Sequence, residues 1–384
     1  MEFSFTQEQN MIRDTAQAFL SDVSSSEAIR RAMETSQGFE KEIWQRICTE
    51  MYWQALHVPE EYGGLGLGYI ELVAILEQMG KYLLCSPFFS TVCLGANALL
   101  IAGTPEQKQH YLSQICSGDL TATLAYSSNG LWDAGAIKST VEVQDNQFIL
   151  NGNYRYVIDG HTADLIIVAA RSKGSLGENG ISMFAIPANA PGITRTWLPT
   201  MDQTRKQSEI VLNNVTLTDE HLMGEVGKSW ANLNKVIQLA TIATAAEQVG
   251  GSQQVLDLTV AYTKERFQFG RAIASFQGVK HQAADMMLRT EIARSAVYYA
   301  ACVADQAIEE GPLASELSEA ASVAKSYCSE GYFKNAGDAI QLHGGVGFTW
   351  EYDVHLYFKR AKSSELLFGN AAFHREKVAK LLLD

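Results

Sequence analysis

Apolar residues recur at three- and four-residue spacing through the first 120 positions, most clearly in ELVAILEQMGKYLL (71–84), and this predicts amphipathic helices. Thr6 and Gln9 have capping-box spacing ahead of MIRDTAQAFL (11–20), so a helix is expected to start there. From Thr121 the texture changes to short β-rich runs: IKSTVEVQDNQFILNG (137–152), DLIIVAARS (164–172), ISMFAIPA (181–188) and SEIVLNNVTL (208–217). QDNQ (144–147) and the Asn151-Gly152 pair read as turns between strands. After Gly227 the helical period returns over 229–268, 276–309, 314–342 and 370–383, broken by EEGPLAS (309–315) and HGGVG (343–347). The order is an all-α domain (1–120), a β-barrel or sandwich domain (121–228) and a C-terminal helical-bundle domain (229–384), an α+β multidomain fold. No short-period repeat or low-complexity segment interrupts it.

Composition narrows the functional classes. With 384 residues, 47% of them hydrophobic, the chain can bury a large core. Lys and Arg total 30 against 43 Asp and Glu, a net charge of −13, which argues against nonspecific binding to nucleic acid or an anionic membrane. No apolar run reaches the ~20 residues of a membrane span, and the N-terminus lacks a basic-then-apolar leader pattern. A cytosolic protein is expected. The six cysteines are scattered without CxxC spacing, so they are expected to be reduced and structural. The eight histidines show no ligand spacing, so no metal site is expected, and no GxSxG elbow marks a serine hydrolase.

Four stretches hold candidate chemistry. VPEEYGGLGLG (58–68) fails as a dinucleotide loop, because the third glycine of GxGxxG falls on Tyr69 and no strand precedes it. QLHGGVGFTW (341–350) places Gly344, Gly345 and Gly347 after a helix, where bare N–H groups can approach a phosphate. ERFQFGRAIASFQGVKHQAADM (265–286) sets Arg266, Phe269 and Gln277 around a turn: a charged fork, an aromatic face and an amide, suited to a pyrophosphate and an adenine ring or, equally, a plain helix end. The fourth, VIQLATIATAAEQVGGSQQVL (236–256), carries one charge, Glu247. A lone acid there is either turned to solvent or kept for chemistry.

Taken together, VPEEYGGLGLGYIELVAILEQMG, YTKERFQFGRAIASFQGVKHQAADM and AIQLHGGVGFTWEYDVHLYFKRAK resemble, in order and nearly end to end, the acyl-CoA dehydrogenase family. The resemblance implies a flavoenzyme whose FAD lies between the β domain and the C-terminal helices and which oxidises the Cα–Cβ bond of an acyl-CoA. It implies that Arg266, Phe269 and Gln277 hold the FAD of a neighbouring subunit, and that Gln341, Gly344 and Gly345 approach its pyrophosphate-adenine portion. It also implies an oligomer, a homotetramer or a heterotetramer with a related chain, delivering electrons to an electron-transfer flavoprotein.

Three departures from the family pattern bear on the chemistry. The segment that usually resembles TEPGAGSD is YSSNGLWD (126–133), leaving main-chain groups around Tyr126 and Ser128 to meet the flavin. The Trp-Ile-Thr group beside the ring is replaced by Tyr156-Val157-Ile158, with Tyr156 still able to stack. The family's usual glutamate base is replaced by Phe368 in LLFGN, and its second location matches Ala240. Glu247 lies seven residues beyond Ala240, two helical turns on the same face, and is the expected base, with Glu365 in reserve. The Phe368 backbone N–H keeps the family's oxyanion-donor position whatever its side chain. A relocated base implies a branched, cyclic or steroid-like acyl group. The alternatives are a non-catalytic subunit of a mixed assembly and an oxygen-using flavin oxidase of the same fold.

Overall fold

The computed structural model describes residues 5–128 and 130–383. The N-terminal third is helical: α1 (Gln7–Val23), α2 (Ser26–Glu34), α3 (Lys41–Arg46), α4 (Tyr69–Lys81), α5 (Asn97–Ala102), α6 (Pro105–Gln107) and α7 (Ser113–Ser117). The capping box forms as its spacing predicts. Thr6 Oγ1 accepts the Gln9 N–H at 3.2 Å while Gln9 Oε1 accepts the Thr6 N–H at 3.0 Å.

Eight strands follow: β1 (Ala122–Ala125), β2 (Thr140–Gln144), β3 (Gln147–Ile158), β4 (Leu165–Ser172), β5 (Ile181–Pro187), β6 (Ile193–Leu198), β7 (Gln207–Leu217) and β8 (Leu222–Met223). They make one sheet in the order β6-β7-β3-β2-β4-β5-β8, with β1 also paired to β4. β1 and β2 lie end to end along the same edge of β4, β1 against Leu165–Val168 and β2 against Arg171 and Ser172. Phe148, Leu150, Tyr154, Ile166, Val168, Phe184, Ile186 and Ile210 fill the core of this domain. The Asp145-Asn146 pair makes the expected hairpin turn, both residues at positive φ. Asn151-Gly152 does not. It lies inside β3, where the register against β7 shifts between Leu150 and Gly152, so the glycine marks a bulge instead of a turn.

The C-terminal helices are α8 (Trp230–Glu265), α9 (Gln277–Ile308), α10 (Leu317–His343), α11 (Val354–Leu366) and α12 (Ala371–Leu383). Helix α8 ends three residues short of the predicted 268, because β9 (Phe267–Gln268) pairs with β10 (Arg271–Ala272) in a hairpin. Helix α11 has no counterpart in the sequence reading. Its buried side includes His355, Arg360 and Ser364, so the apolar period that announces a helix is missing.

The chain divides into two compact units, one of Met1–Arg31, Gly68–Leu84 and Thr241–Asp384, the other of Ala32–Leu67 and Cys85–Ala240. In the first, glycines let α4 and α8 cross backbone to backbone: a Cβ on Gly80 would overlap the Glu247 carbonyl, and one on Gly250 the Glu77 carbonyl. The Glu77 carboxylate accepts from Arg294 of α9 at 3.0 Å, anchoring the same crossing. Among the described residues no helix is long and apolar enough to cross a membrane, and no cluster of His, Cys, Asp or Glu could hold a metal ion.

Candidate active site and cofactor contacts

Glu247 is not turned to solvent. It is 6% exposed, in a run of α8 in which every residue from Leu239 to Ser252 is buried. The run carries no other charge, so this buried carboxylate is a candidate for chemistry. The neighbouring Gln248 ties this turn of α8 to the end of α11. Its amide donates to Ser329 Oγ at 3.1 Å and to Ser364 Oγ at 3.0 Å. Ser329 in turn accepts from Lys325 Nζ at 2.9 Å, and Lys325 also donates to the carbonyls of Glu365 (3.0 Å) and Gly369 (2.9 Å). A continuous polar chain thus joins the helix turn of Glu247 to the loop that carries Phe368.

Phe368 is buried with φ 57°, a left-handed conformation that a bulky side chain rarely adopts. Glu365 is occupied otherwise: its carboxylate pairs with Lys362 at 2.9 Å. Ala240, at the family's second base location, is fully buried and has no proton-accepting group.

In the other unit, the strand register explains where Tyr156 points. Between Tyr154, opposite Ile210, and Val157, opposite Ser208, β3 holds one residue more than β7. The resulting bulge puts Tyr156 at φ 63° and turns its ring outward, 47% exposed, between the buried Tyr154 and Val157. The Arg155 N–H donates to the Ser127 carbonyl at 3.0 Å, which brings the 126–128 segment beside the bulge. Ser128 Oγ is buried and has no hydrogen-bond partner among the described residues. The Tyr126 side chain is buried and its pKa raised by that burial and by Asp133, so what this residue offers is its main chain. Within YSSNGLWD, Asn129 lies outside the described residues.

The adenine-side candidates cluster in the first unit. Phe269 and Gly270 form the two-residue turn of the β9–β10 hairpin, both at positive φ, and Phe269 projects at 90% exposure. Arg266 and Gln277 flank the hairpin, also exposed. Tyr262, one turn before Arg266, stacks on His343 with centroids 4.3 Å apart and donates to its carbonyl at 3.3 Å. That contact sets the hairpin near the end of α10, where Gln341 is exposed and Gly344 (φ 64°) and Gly345 have nothing within 4 Å of where a Cβ would stand. Uncrowded glycines, an exposed guanidinium and an exposed aromatic ring suit a phosphate and a purine, and the unpartnered Ser128 hydroxyl beside an outward tyrosine suits a polar ring edge. The residues present fit an FAD.

Sequence reasoning missed Lys325 and His374. Lys325 carried a legible signal, a lone cation in AASVAKSYC (320–328), comparable to the lone acid of α8; His374 carried none.

Comparisons with known proteins agree along the whole length. Residues 6–119 match the acyl-CoA dehydrogenase N-terminal domain, 127–215 the middle domain and 227–383 the C-terminal domain. The chain is 31% identical over 365 residues to the acyl-CoA dehydrogenase IpdE2 of Mycolicibacterium smegmatis, covering 95% of each. It is 31% identical over 393 residues to a probable acyl-CoA dehydrogenase, YngJ, of Bacillus subtilis, covering 100% of each. Among solved structures, butyryl-CoA dehydrogenase of Megasphaera elsdenii superposes with a TM-score of 0.91 at 26% identity, covering 100% of both chains. The steroid ACAD variant Tcur3481-Tcur3483 gives 0.86 at 26% identity, covering 98% of each. The ChsE4-ChsE5 complex of Mycobacterium tuberculosis gives 0.87 at 26% identity, covering 100% of this chain and 99% of that one.

Proposed function

The chain belongs to the acyl-CoA dehydrogenase family, and from that membership we propose that it dehydrogenates the Cα–Cβ bond of a bulky acyl-CoA with Glu247 as the base. The single observation that carries this reading is the burial of Glu247 as the lone acid of an otherwise uncharged, fully buried helix run.

The chemistry asks the protein for two things. Glu247 takes the α-proton, a step that works only where the carboxylate is close and shielded from water. The backbone N–H of Phe368 donates to the thioester oxygen as negative charge develops there. Bound FAD supplies the acceptor for the β-hydride. Tyr156 would stack against its ring, and the main chain at Tyr126 and the Ser128 hydroxyl would hydrogen-bond to the ring edge. Arg266, Phe269, Gln277, Gln341, Gly344 and Gly345 hold the adenine and pyrophosphate of the FAD bound to a neighbouring subunit. The exposure of Arg266, Phe269, Gln277 and Gln341 in the single chain supports this, because groups kept for another subunit stay open to solvent within their own. An electron-transfer flavoprotein is the proposed oxidant of the reduced enzyme.

The proposal of a bulky acyl group starts from the small side chains of Ala240, Ala243, Ala245 and Ala246, all fully buried on α8 near Glu247. Similarity to a steroid ACAD supports a ring-bearing substrate. A panel of linear, branched and ring-bearing acyl-CoAs, assayed by anaerobic bleaching of the flavin, tests it. A clear preference for short linear chains overturns the size reading.

Phe368 at the usual base position favours a second reading, a non-catalytic subunit in a mixed assembly. The visible spectrum and mass of the chain expressed alone separate the two. A yellow homotetramer reduced by acyl-CoA supports catalysis; a colourless chain, coloured only with a partner, supports the subunit role.

A further inference from the structure

Phe368 occupies a strained conformation at the point where the proposed mechanism needs a fixed amide, and the side chains around it account for how it is kept there. A bulky residue at φ 57° is strained and persists only where its surroundings over-determine it. Three carbonyls in the 365–369 turn are held by side chains from outside the turn. Lys325 of α10, fully buried, donates to the carbonyls of Glu365 at 3.0 Å and Gly369 at 2.9 Å. His374 of α12, 2% exposed, places Nε2 3.1 Å from the Phe368 carbonyl. A carbonyl only accepts, so Nε2 carries the proton, and Nδ1 is left to accept from Ser322 Oγ at 3.2 Å. Burial, Lys325 and Lys377 lower the His374 pKa to about 3, which fixes the ring as neutral and keeps that tautomer.

The geometry has a direct consequence for the Phe368 N–H. Peptide units are planar, so a bonded carbonyl fixes the orientation of its whole unit. The 365–366, 368–369 and 369–370 units are each fixed in this way. The Phe368 N–H belongs to the 367–368 unit between them, and its direction follows once its neighbours are set. The helix start behind the turn is fixed as well: Asn370 Oδ1 accepts the Phe373 N–H at 2.9 Å. Gly369, at φ 116°, is packed so tightly against Phe373 and His374 that no side chain fits.

We propose that Lys325 and His374 are positioning residues for the dehydrogenation: they clamp the 365–369 turn so that the Phe368 amide is aimed at the thioester carbonyl before substrate arrives. Lys325 extends the same control to the base. Through Ser329 and Gln248 it is bonded to the turn of α8 that bears Glu247, so one buried lysine sets the loop of the oxyanion donor and braces the helix of the proton acceptor. Burial lowers the Lys325 pKa to about 7 while Glu365 pulls it upward, and three oxygen acceptors lie 2.9–3.0 Å from its Nζ. This inference rests on the reading of Phe368 as oxyanion donor, and the test separates the two.

The probe is cyclohex-1-ene-carbonyl-CoA labelled with 13C at the thioester carbonyl, an enoyl ester whose α-carbon bears no proton for Glu247 to remove, bound to the FAD-loaded protein, with its partner chain if one is required. The carbonyl stretch of the wild-type complex is expected at lower frequency than that of the free ester. In Lys325→Met and His374→Phe it is expected to move back toward the free value, with thioester affinity changed less than roughly threefold and flavin reduction slowed roughly 10–100-fold. His374→Gln, whose amide reaches the Nε2 position, is expected to restore most of the shift. Ser322→Ala removes only the support behind His374 and should give an intermediate shift, so the proposal stands or falls on it if the larger changes do not fold. Variants that melt like the wild type and keep its full carbonyl shift overturn the clamp. A wild-type complex with no shift overturns the oxyanion reading and the clamp with it.

Discussion

Gly80 of α4 lies directly against the backbone of Glu247 on α8, with no room between them for a methyl group. The proposed base is therefore seated by a helix crossing in which glycine, on both sides, removes the atoms that would hold the backbones apart. Gly80→Ala is expected to push the two helices apart and to cost about 1–3 kcal/mol, outweighing alanine's better helix propensity of up to about 1 kcal/mol. Urea unfolding measures the cost, and stopped-flow flavin reduction should slow in the same variant because the carboxylate is displaced. A variant as stable and as fast as the wild type would show that the crossing does not set Glu247.

Glu247→Gln keeps the shape and hydrogen-bonding capacity of the side chain but cannot accept the α-proton. Flavin reduction by acyl-CoA is expected to fall roughly 10²–10⁴-fold, the usual contribution of a general base, with FAD content and CoA-ester binding little changed. Adding Phe368→Glu to that variant places a carboxylate at the family's common base position and should recover part of the rate. If Glu247→Gln bleaches at the wild-type rate, the acid is structural and the base lies in a partner chain or at Glu365.

Arg266→Ala removes a charge-assisted contact to the FAD pyrophosphate, worth about 1.5–3 kcal/mol for a hydrogen bond to a charged group. The arginine is exposed and flanks the β9–β10 hairpin, so the folded chain should tolerate its loss. Gel filtration of the variant is expected to strip flavin that the wild type retains. Equal retention would place the arginine outside the cofactor site.

His57 is buried and donates to Asn97 Oδ1 across 2.8 Å, and burial lowers its pKa from 6.5 to about 4. Between pH 6.5 and about 4 the unfolded chain takes up a proton that the folded protein refuses, so stability falls as pH drops through that window and is fully kept above it. The contribution is on the order of 3 kcal/mol. His57→Gln keeps a donor for Asn97 without titrating, and denaturant melts from pH 7 to pH 4 should show a shallower loss than in the wild type. A stability difference between the two that stays constant with pH would count against this assignment.

What the sequence determined was whatever local period and motif order encode. The helical N-terminal third, the strand-rich middle and the helical C-terminal third follow from apolar spacing, since each element must bury one face. Family membership follows from three long motifs in register, and Glu247 stood out because a charge in an apolar helix is visible in one dimension. Only the tertiary structure decided what depends on contacts distant along the chain. Helix α11 hides from periodicity because its buried face holds polar groups that α8 and α4 satisfy: Ser364 bonded to Gln248, and Tyr357 donating to the Lys81 carbonyl at 2.6 Å. The outward ring of Tyr156 comes from one extra residue in a strand register, and Asn151-Gly152, a turn by composition, is a bulge because β7 supplies partners on both sides of it. Lys325 and His374 reach the 365–369 turn from separate helices, Lys325 at the Glu365 and Gly369 carbonyls and His374 at the Phe368 carbonyl. Hydrogen bonds of that kind form only once folding has brought the carbonyls of a turn into a dry interior, where each must find a donor.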